Sequence, residues 1–178
     1  VAERFKYTST LLNNLLHWSQ SQMDGYRVIV ETFNVSQLIC EKRTLLKSKL
    51  EEKNITFEFS EEEYMVRADR NMIDLVVQNL ISNAIKYSNQ NGNISVKVFG
   101  KDGKACIAIA DNGIGIQKDK LEELFSNRFY TTEGTNNEKG TGLGLMLCKE
   151  FVERNDGGIW VESIPDLGST LYFTLPHP

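Results

Sequence analysis

The 178-residue chain has few cysteines: Cys40, Cys106 and Cys148 lie far apart in sequence, each among apolar neighbours. An odd number, with no Cys-x-x-Cys pair and no Cys/His cluster, argues against a disulfide framework or a zinc site. It favours small buried hydrophobes in a reducing compartment. An excess of one charge is also missing. Twenty basic residues against 24 acidic leave a net charge of −4, which gives no pull toward nucleic acid or an anionic membrane. No apolar run approaches the roughly 18 residues that cross a bilayer, and no signal peptide opens the chain. Internal repeats are absent too. What remains, 40% hydrophobic and 25% charged residues, is an ordinary globular composition of about one domain. The residues after Val1 read as mid-helix, as in a fragment of something longer.

The stretch Gln78-Asn79-Leu80-Ile81-Ser82-Asn83-Ala84-Ile85-Lys86-Tyr87 stands out. It lies in a run whose apolar positions, Met72, Ile73, Leu75, Val76, Val77, Leu80, Ile81, Ala84 and Ile85, cover most of a helical circumference. Such a helix is buried, and its polar groups need partners. Asn79, Asn83 and Lys86 follow at i, i+4 and i+7, within about 60° of one another on the helix, with Tyr87 at the edge of the stripe. Two amides, an ammonium and a phenol on a core helix call for a polar ligand.

Around that helix the periodicity predicts an N-terminal helix over residues 5–23, with Leu11, Leu12, Leu15, Leu16 and Trp18 on one face. A short strand over 28–34 and an amphipathic helix over 35–52 follow. In the helix Leu38, Ile39, Leu45, Leu46 and Leu50 turn inward and a lysine/glutamate face turns to solvent. Strands are expected at 55–59 and 64–68, then Asp69 as the cap of the central helix. Residues 94–99 and 105–110 are strands joined by the hairpin chemistry of Gly100-Lys101-Asp102-Gly103. A short helix over 118–125, a polar stretch over 126–141, a helix to Arg154 and strands at 159–164 and 169–175 complete the chain. Hairpin-linked strands with helices gathered elsewhere predict an α/β two-layer sandwich (α+β): a mixed sheet of about five strands with three longer helices on one face, preceded by an N-terminal helix.

Two further motifs carry chemistry. Asp111-Asn112-Gly113-Ile114-Gly115 ends a strand, where a carboxylate can accept a hydrogen bond from an exocyclic amine and glycines let backbone approach a flat ring. Gly140-Thr141-Gly142-Leu143-Gly144-Leu145 is a glycine-rich turn entering a helix, and the amides there suit phosphate. It is not a P-loop, for no Gly-Lys-Ser/Thr follows the glycines, nor the dinucleotide fingerprint, for no strand immediately precedes it. The asparagine oxygens of the helical stripe suit a hard cation such as Mg²⁺, which takes few protein ligands, and Lys86 can pair with phosphate charge.

In this order, residues 79–87, Asp111 to Gly115, residues 125–129 and 140–145 resemble the N, G1, F and G2 boxes of the sensor histidine kinases. The closing Gly168-Ser169-Thr170, Phe173 and Leu175-Pro176 resemble that family's last strand. The resemblance covers roughly residues 30–176 and implies the Bergerat ATP-binding fold shared with gyrase, mismatch-repair and heat-shock chaperone ATPases. It implies Asp111 against the adenine amine, with Gly113, Gly115 and Ile116 along that wall. Asn83, assisted by Asn79, would hold Mg²⁺; Lys86 and Tyr87 would line the nucleotide. Phe125 and Phe129 would anchor a lid over residues 126–141, and Gly140, Thr141, Gly142, Leu143, Gly144 and Thr170 would contact ATP. It further implies residues 1–27 as the end of a dimerisation helix and linker, 28–178 as the catalytic domain, and a cytoplasmic location for this part, whether or not the full protein is membrane-anchored. The implied partners are a phosphoacceptor histidine helix of the same or the paired protomer in a homodimer, and a response-regulator receiver domain.

The nucleophile decides the reaction. His17 is followed by Trp18 and Ser19 rather than an acidic residue and lies close to the catalytic domain, so the acceptor histidine is expected upstream of this chain. Hydrolytic relatives carry a water-activating glutamate four residues before the Mg²⁺-binding asparagine. Here Asn79 holds that position, and an amide is no general base at neutral pH. A hydrolytic ATPase and a silent nucleotide-binding scaffold stand as the alternatives.

Overall fold

A computed structural model describes residues 27–121, 123–125, 133–136, 138 and 142–178. The predicted helix over 5–23, with His17, lies outside them. The elements are β1 (Glu31–Asn34), α1 (Val35–Leu45), α2 (Lys47–Glu52), β2 (Thr56–Phe59), β3 (Met65–Ala68), α3 (Arg70–Tyr87), β4 (Asn93–Lys101), β5 (Lys104–Asp111), α4 (Lys118–Leu121), α5 (Gly144–Arg154), β6 (Ile159–Ile164) and β7 (Gly168–Pro176).

The main sheet runs β2-β4-β5-β7-β6; β2 and β4 are parallel and the other neighbours antiparallel. This is the mixed five-stranded sheet expected from sequence, with α3 and α5 packed on each other and against the sheet. Asp102 and Gly103 take φ of 50° and 75°, the left-handed pair that a two-residue hairpin needs between β4 and β5. β1 and β3 pair only with each other, in a separate two-stranded sheet.

The central helix forms where its apolar pattern demands. Met72, Ile73, Val76, Val77, Leu80, Ile81, Ala84 and Ile85 are all buried. Each large aliphatic side chain among them contributes roughly 1.5–3 kcal/mol of burial. At its start Asp69 Oδ1 accepts the backbone N–H groups of Asn71 at 3.0 Å and Met72 at 3.2 Å, as the cap reading required. At its end Ser88 leaves the helical region, and its hydroxyl donates to Ala84 O at 2.7 Å.

Three expectations need correction. The helix predicted over 35–52 is two, because the chain breaks at Leu46 between α1 and α2. Leu46 is buried, whereas Leu45, expected inward, is 60% exposed. The lysines of that region are not all on a solvated face: Lys42 is buried and pairs with Asp74 of α3 at 2.7 Å. Cys106 and Cys148 are buried as expected, and Cys40 is only partly so. Among the described residues no helix is long and apolar enough to cross a membrane.

Candidate active site

The site grows from the last turn of α3 and the end of β5. Asp111 is the final residue of β5 and stands opposite Ile94 of β4 and Ser169 of β7. Its Oδ1 accepts the Gly113 N–H at 2.9 Å, and the Ser169 N–H also donates to its carboxylate. Burial outweighs these two donors and pushes the Asp111 carboxyl up from 3.8 to about 6. A carboxylate kept partly out of water, with room left to accept, is poised for a ligand donor such as an amine.

The loop after Asp111 is stitched to α3 and to the β6–β7 hairpin. Ile114 N donates to Tyr87 O at 3.2 Å, Ile116 N to Ser163 Oγ at 2.8 Å, and Asp166 N to Ile114 O at 2.9 Å. The glycines of this loop serve close approaches of backbone to backbone. A Cβ on Gly113 would stand 2.1 Å from Tyr87 O, and one on Gly115 would stand 2.1 Å from Ile164 O, with φ already at +64°. Their smallness thus holds α3, the loop and the hairpin together, and the loop's distance from a ligand follows from that.

At the start of α5, Gly142 takes φ +73° just before the helix, and no side chain caps it at Leu143. The amides of a helix's first turn have no partner within the helix itself, which suits them to anions. Asn79 is beside them: a Cβ on Gly144 would come within 3.1 Å of Asn79 Oδ1. Lys86 Nζ donates to Tyr87 Oη at 2.9 Å and lies 4.6 Å from the centre of that ring. Among the described residues no group of three His, Cys, Asp or Glu side chains could hold a metal unaided. A divalent ion at the half-buried Asn79/Asn83 face would take its other ligands from phosphate and water.

The structure therefore brings Lys86, Tyr87, Asp111, Gly113, Gly115 and Ile116 to one contiguous wall, and Asn79 with Gly144 to a second along the same helix. Asn83 lies between them on α3, and Gly142 and Leu143 lead into α5. Phe125 packs against the core. Phe129, Gly140 and Thr141 lie outside the described residues. Thr170 does not join the site. It pairs with Ala110 and Glu162, and it hydrogen-bonds Tyr172, whose ring stacks on Trp160 at 5.0 Å. That is the side of the sheet away from Asp111, since neighbouring strand residues point to opposite faces.

Ser169 occupies the place expected of Thr170, and sequence reasoning passed over it. Leu171, Phe173 and Leu175 point into the core, so period two assigns Ser169 to the same side. Its hydroxyl lies 2.9 Å from Ser163 Oγ, beside the Asp111 carboxylate.

With this geometry in hand, comparison with known proteins is decisive for class. The family described as histidine kinase-, DNA gyrase B-, and HSP90-like ATPase matches residues 68–178. The chain belongs to this family of ATPases. It is 33% identical over 177 residues to the adaptive-response sensory kinase SasA of Synechocystis sp., an alignment covering 98% of this chain and 46% of SasA. With the sensor histidine kinase WalK of Bacillus subtilis the identity is 34% over 176 residues, covering 94% of this chain and 28% of WalK. The chain thus spans less than half the length of these curated relatives. Its backbone matches the nucleotide-free catalytic domain of histidine kinase ThkA with a TM-score of 0.72 at 32% identity, covering 84% of this chain and 98% of that domain. It also matches ThkA in complex with the response regulator TrrA, with a TM-score of 0.77 at 27% identity over 99% of this chain and 49% of that one. The particular branch is that of the sensor histidine kinases, and this is the ATP-binding catalytic domain of one.

Proposed function

We propose that this domain binds Mg²⁺-ATP and delivers the γ-phosphate to a histidine on dimerisation helices outside the described residues, for onward transfer to a response-regulator aspartate. The observation that carries the reading is the pairing of a buried Asp111 carboxylate at one end of the site with Asn79 against the first residue of α5 at the other. Asp111 accepts from the adenine amine, held in aim by the N–H groups of Gly113 and Ser169. Tyr87 and Ile116 wall that end, and Lys86 places its charge toward the phosphates. The amides of Gly142, Leu143 and Gly144 receive phosphate oxygen at the start of α5. Asn83, with Asn79 beside it, would hold Mg²⁺ through amide oxygen, and the ion would supply charge neutralisation to the phosphates.

Asn79 also argues for the acceptor. An amide cannot take a proton from water at neutral pH, so the residue nearest α5 positions phosphate without activating a water nucleophile. Residues 1–27 are read as the tail of the dimerisation helix, so the full protein works as a homodimer with its acceptor upstream. The ThkA–TrrA complex supports a response regulator as the onward partner.

Calorimetric titration tests the site. Wild type should bind ATP more tightly with Mg²⁺ than with EDTA, and Asn83→Ala should erase that difference while leaving metal-free binding intact. Equal metal dependence in the variant would remove the assigned role. Labelled ATP tests the acceptor: the full-length protein should acquire acid-labile phosphate and this chain none. Stable label on His17 would overturn the assignment.

A further inference from the structure

Lys53, just past the end of α2, is a buried cation with several acceptors around it. Its side chain is only 4% exposed, yet it is an ammonium. It donates to Ile85 O at 3.0 Å and Lys86 O at 2.9 Å, carbonyls of the last turn of α3, with Ser88 O at 3.5 Å. A cation at a helix C-terminus opposes the negative end of the helix dipole. The remaining bonds reach across the chain. Lys53 Nζ meets Thr135 Oγ1 at 2.8 Å and Glu138 Oε1 at 2.6 Å.

Those two residues belong to the polar stretch that leads toward α5. Thr135 N donates to Lys86 O at 3.1 Å, and the Thr135 hydroxyl donates to Ser88 O at 2.6 Å, which leaves its oxygen to accept from Lys53. Gly134 N donates to Glu138 O at 2.9 Å, closing a small turn, and Asn136 N donates to Glu138 Oε2 at 2.7 Å. The turn sits tight against Lys86: a Cβ on Gly134 would be 2.6 Å from Lys86 Cγ and 2.8 Å from Lys86 O. Burial alone would push the Glu138 carboxyl up, but the Lys53 ammonium and the Asn136 N–H bring it below the usual range, so the partner of Lys53 is an anion.

From this geometry we infer that Lys53 is a positioning residue for the nucleotide site. It clamps Gly134, Thr135 and Glu138 onto the end of α3 and so fixes the backbone and stem of Lys86. The inference rests on the reading of Lys86 as the phosphate-side cation. Lys53 is buried beneath the Lys86 backbone, and it acts by removing freedom from the group that would meet the ligand. A buried ammonium is otherwise costly, and here it faces five acceptors drawn from two parts of the chain, residues 85–88 and 135–138.

The clamp bonds the backbone of Lys86 directly and reaches the Asp111 end only through Tyr87, whose carbonyl accepts from Ile114 N, so a positioning role weighs on the phosphate end more than on the adenine end, unlike a general loss of structure. Two variants are compared with wild type, Glu138→Gln, which removes the anion at a partly exposed position, and Lys53→Met. Binding of ATP and of adenosine is measured for each by calorimetry, with thermal unfolding as the control on folding. ATP affinity should fall about tenfold in Glu138→Gln and further in Lys53→Met, the scale of one charge-assisted hydrogen bond, while adenosine affinity holds within about twofold. Folded variants that bind ATP like wild type, or that lose ATP and adenosine affinity in parallel, would overturn the inference and leave the site reading standing. A wild-type chain unable to bind Mg²⁺-ATP would sink both.

Discussion

The backbone N–H of Asp69 donates to Asn155 Oδ1 at 2.6 Å, so the cap of α3 is held by the residue that ends α5. Asn155 is buried, and its Nδ2 donates back to Phe151 O at 2.8 Å while touching Met72 Sδ at 3.3 Å. One amide thereby ties the start of α3 to the end of α5, at the ends of both helices remote from the site. Asn155→Ala strands the buried Asp69 N–H, which costs about 2–3 kcal/mol with the lost bonds counted. The site begins at Asn79, ten residues or about 15 Å along α3 from Asp69, and ends near Tyr87, about 27 Å away. Urea unfolding should show the loss, and ATP affinity measured well below the midpoint should stay within about twofold of wild type. A stability change under about 0.5 kcal/mol would refute the role given to Asn155.

The glycines make a sharper structural prediction. Gly168 has φ +115°, and a Cβ there would stand 2.0 Å from Asp111 O. Gly103 has φ +75° with nothing within 4 Å. Gly103→Ala therefore carries only the cost of left-handed backbone, about 1 kcal/mol. Gly168→Ala adds a backbone clash that the β5–β7 pairing cannot relieve, and should cost about 3 kcal/mol or more. Equal destabilisation of the two, read from chemical denaturation, would show that conformation and not contact sets the requirement at Gly168.

Much of this architecture was legible because its signals are local. Asp69 declares itself as a cap, the Asp102-Gly103 pair declares a hairpin, and the apolar stripe of α3 declares burial. What escaped depends on neighbours remote in sequence. Lys42 reads as one more surface lysine until Asp74, 32 positions on, is placed beside it. The pairing of β1 with β3 apart from the main sheet is likewise a tertiary choice between strands of four residues each. The sequence points Gly113 and Gly115 to a close approach of backbone to a flat ring, whereas the close approaches in the fold are to the protein's own backbone at Tyr87 and Ile164. Thr170 is a different kind of miss. The alternation through Leu171, Phe173 and Leu175 already assigned it to the far face and Ser169 to the site, so the signal was present and period two would have read it.

Asp111 ties stability and binding to pH in opposite senses. Burial holds its carboxyl at about 6 in the folded chain against 3.8 ordinarily, so between those values the folded state binds the proton that the unfolded state has released. The stabilisation due to protonated Asp111 is full below about 3.8 and is lost as pH rises through about 6, a total of about 3 kcal/mol at 1.36 kcal/mol per unit. Asp111→Asn escapes that loss. Nucleotide-free, the variant should be more stable than wild type at pH 8, by up to about 3 kcal/mol, and the gap should close toward pH 4. On the proposed reading binding runs the other way, because the ionised carboxylate would be the acceptor for the adenine amine and a charged acceptor is the stronger one. Wild-type ATP affinity should fall about tenfold per unit below pH 6, and Asp111→Asn should bind at least about tenfold more weakly than wild type at pH 8. Urea melts at pH 4.5 and 8 and ATP titrations from pH 5 to 8 read both arms. A variant that is less stable than wild type at pH 8 and binds ATP undiminished would show that Asp111 is a structural carboxylate, with the adenine contact made elsewhere.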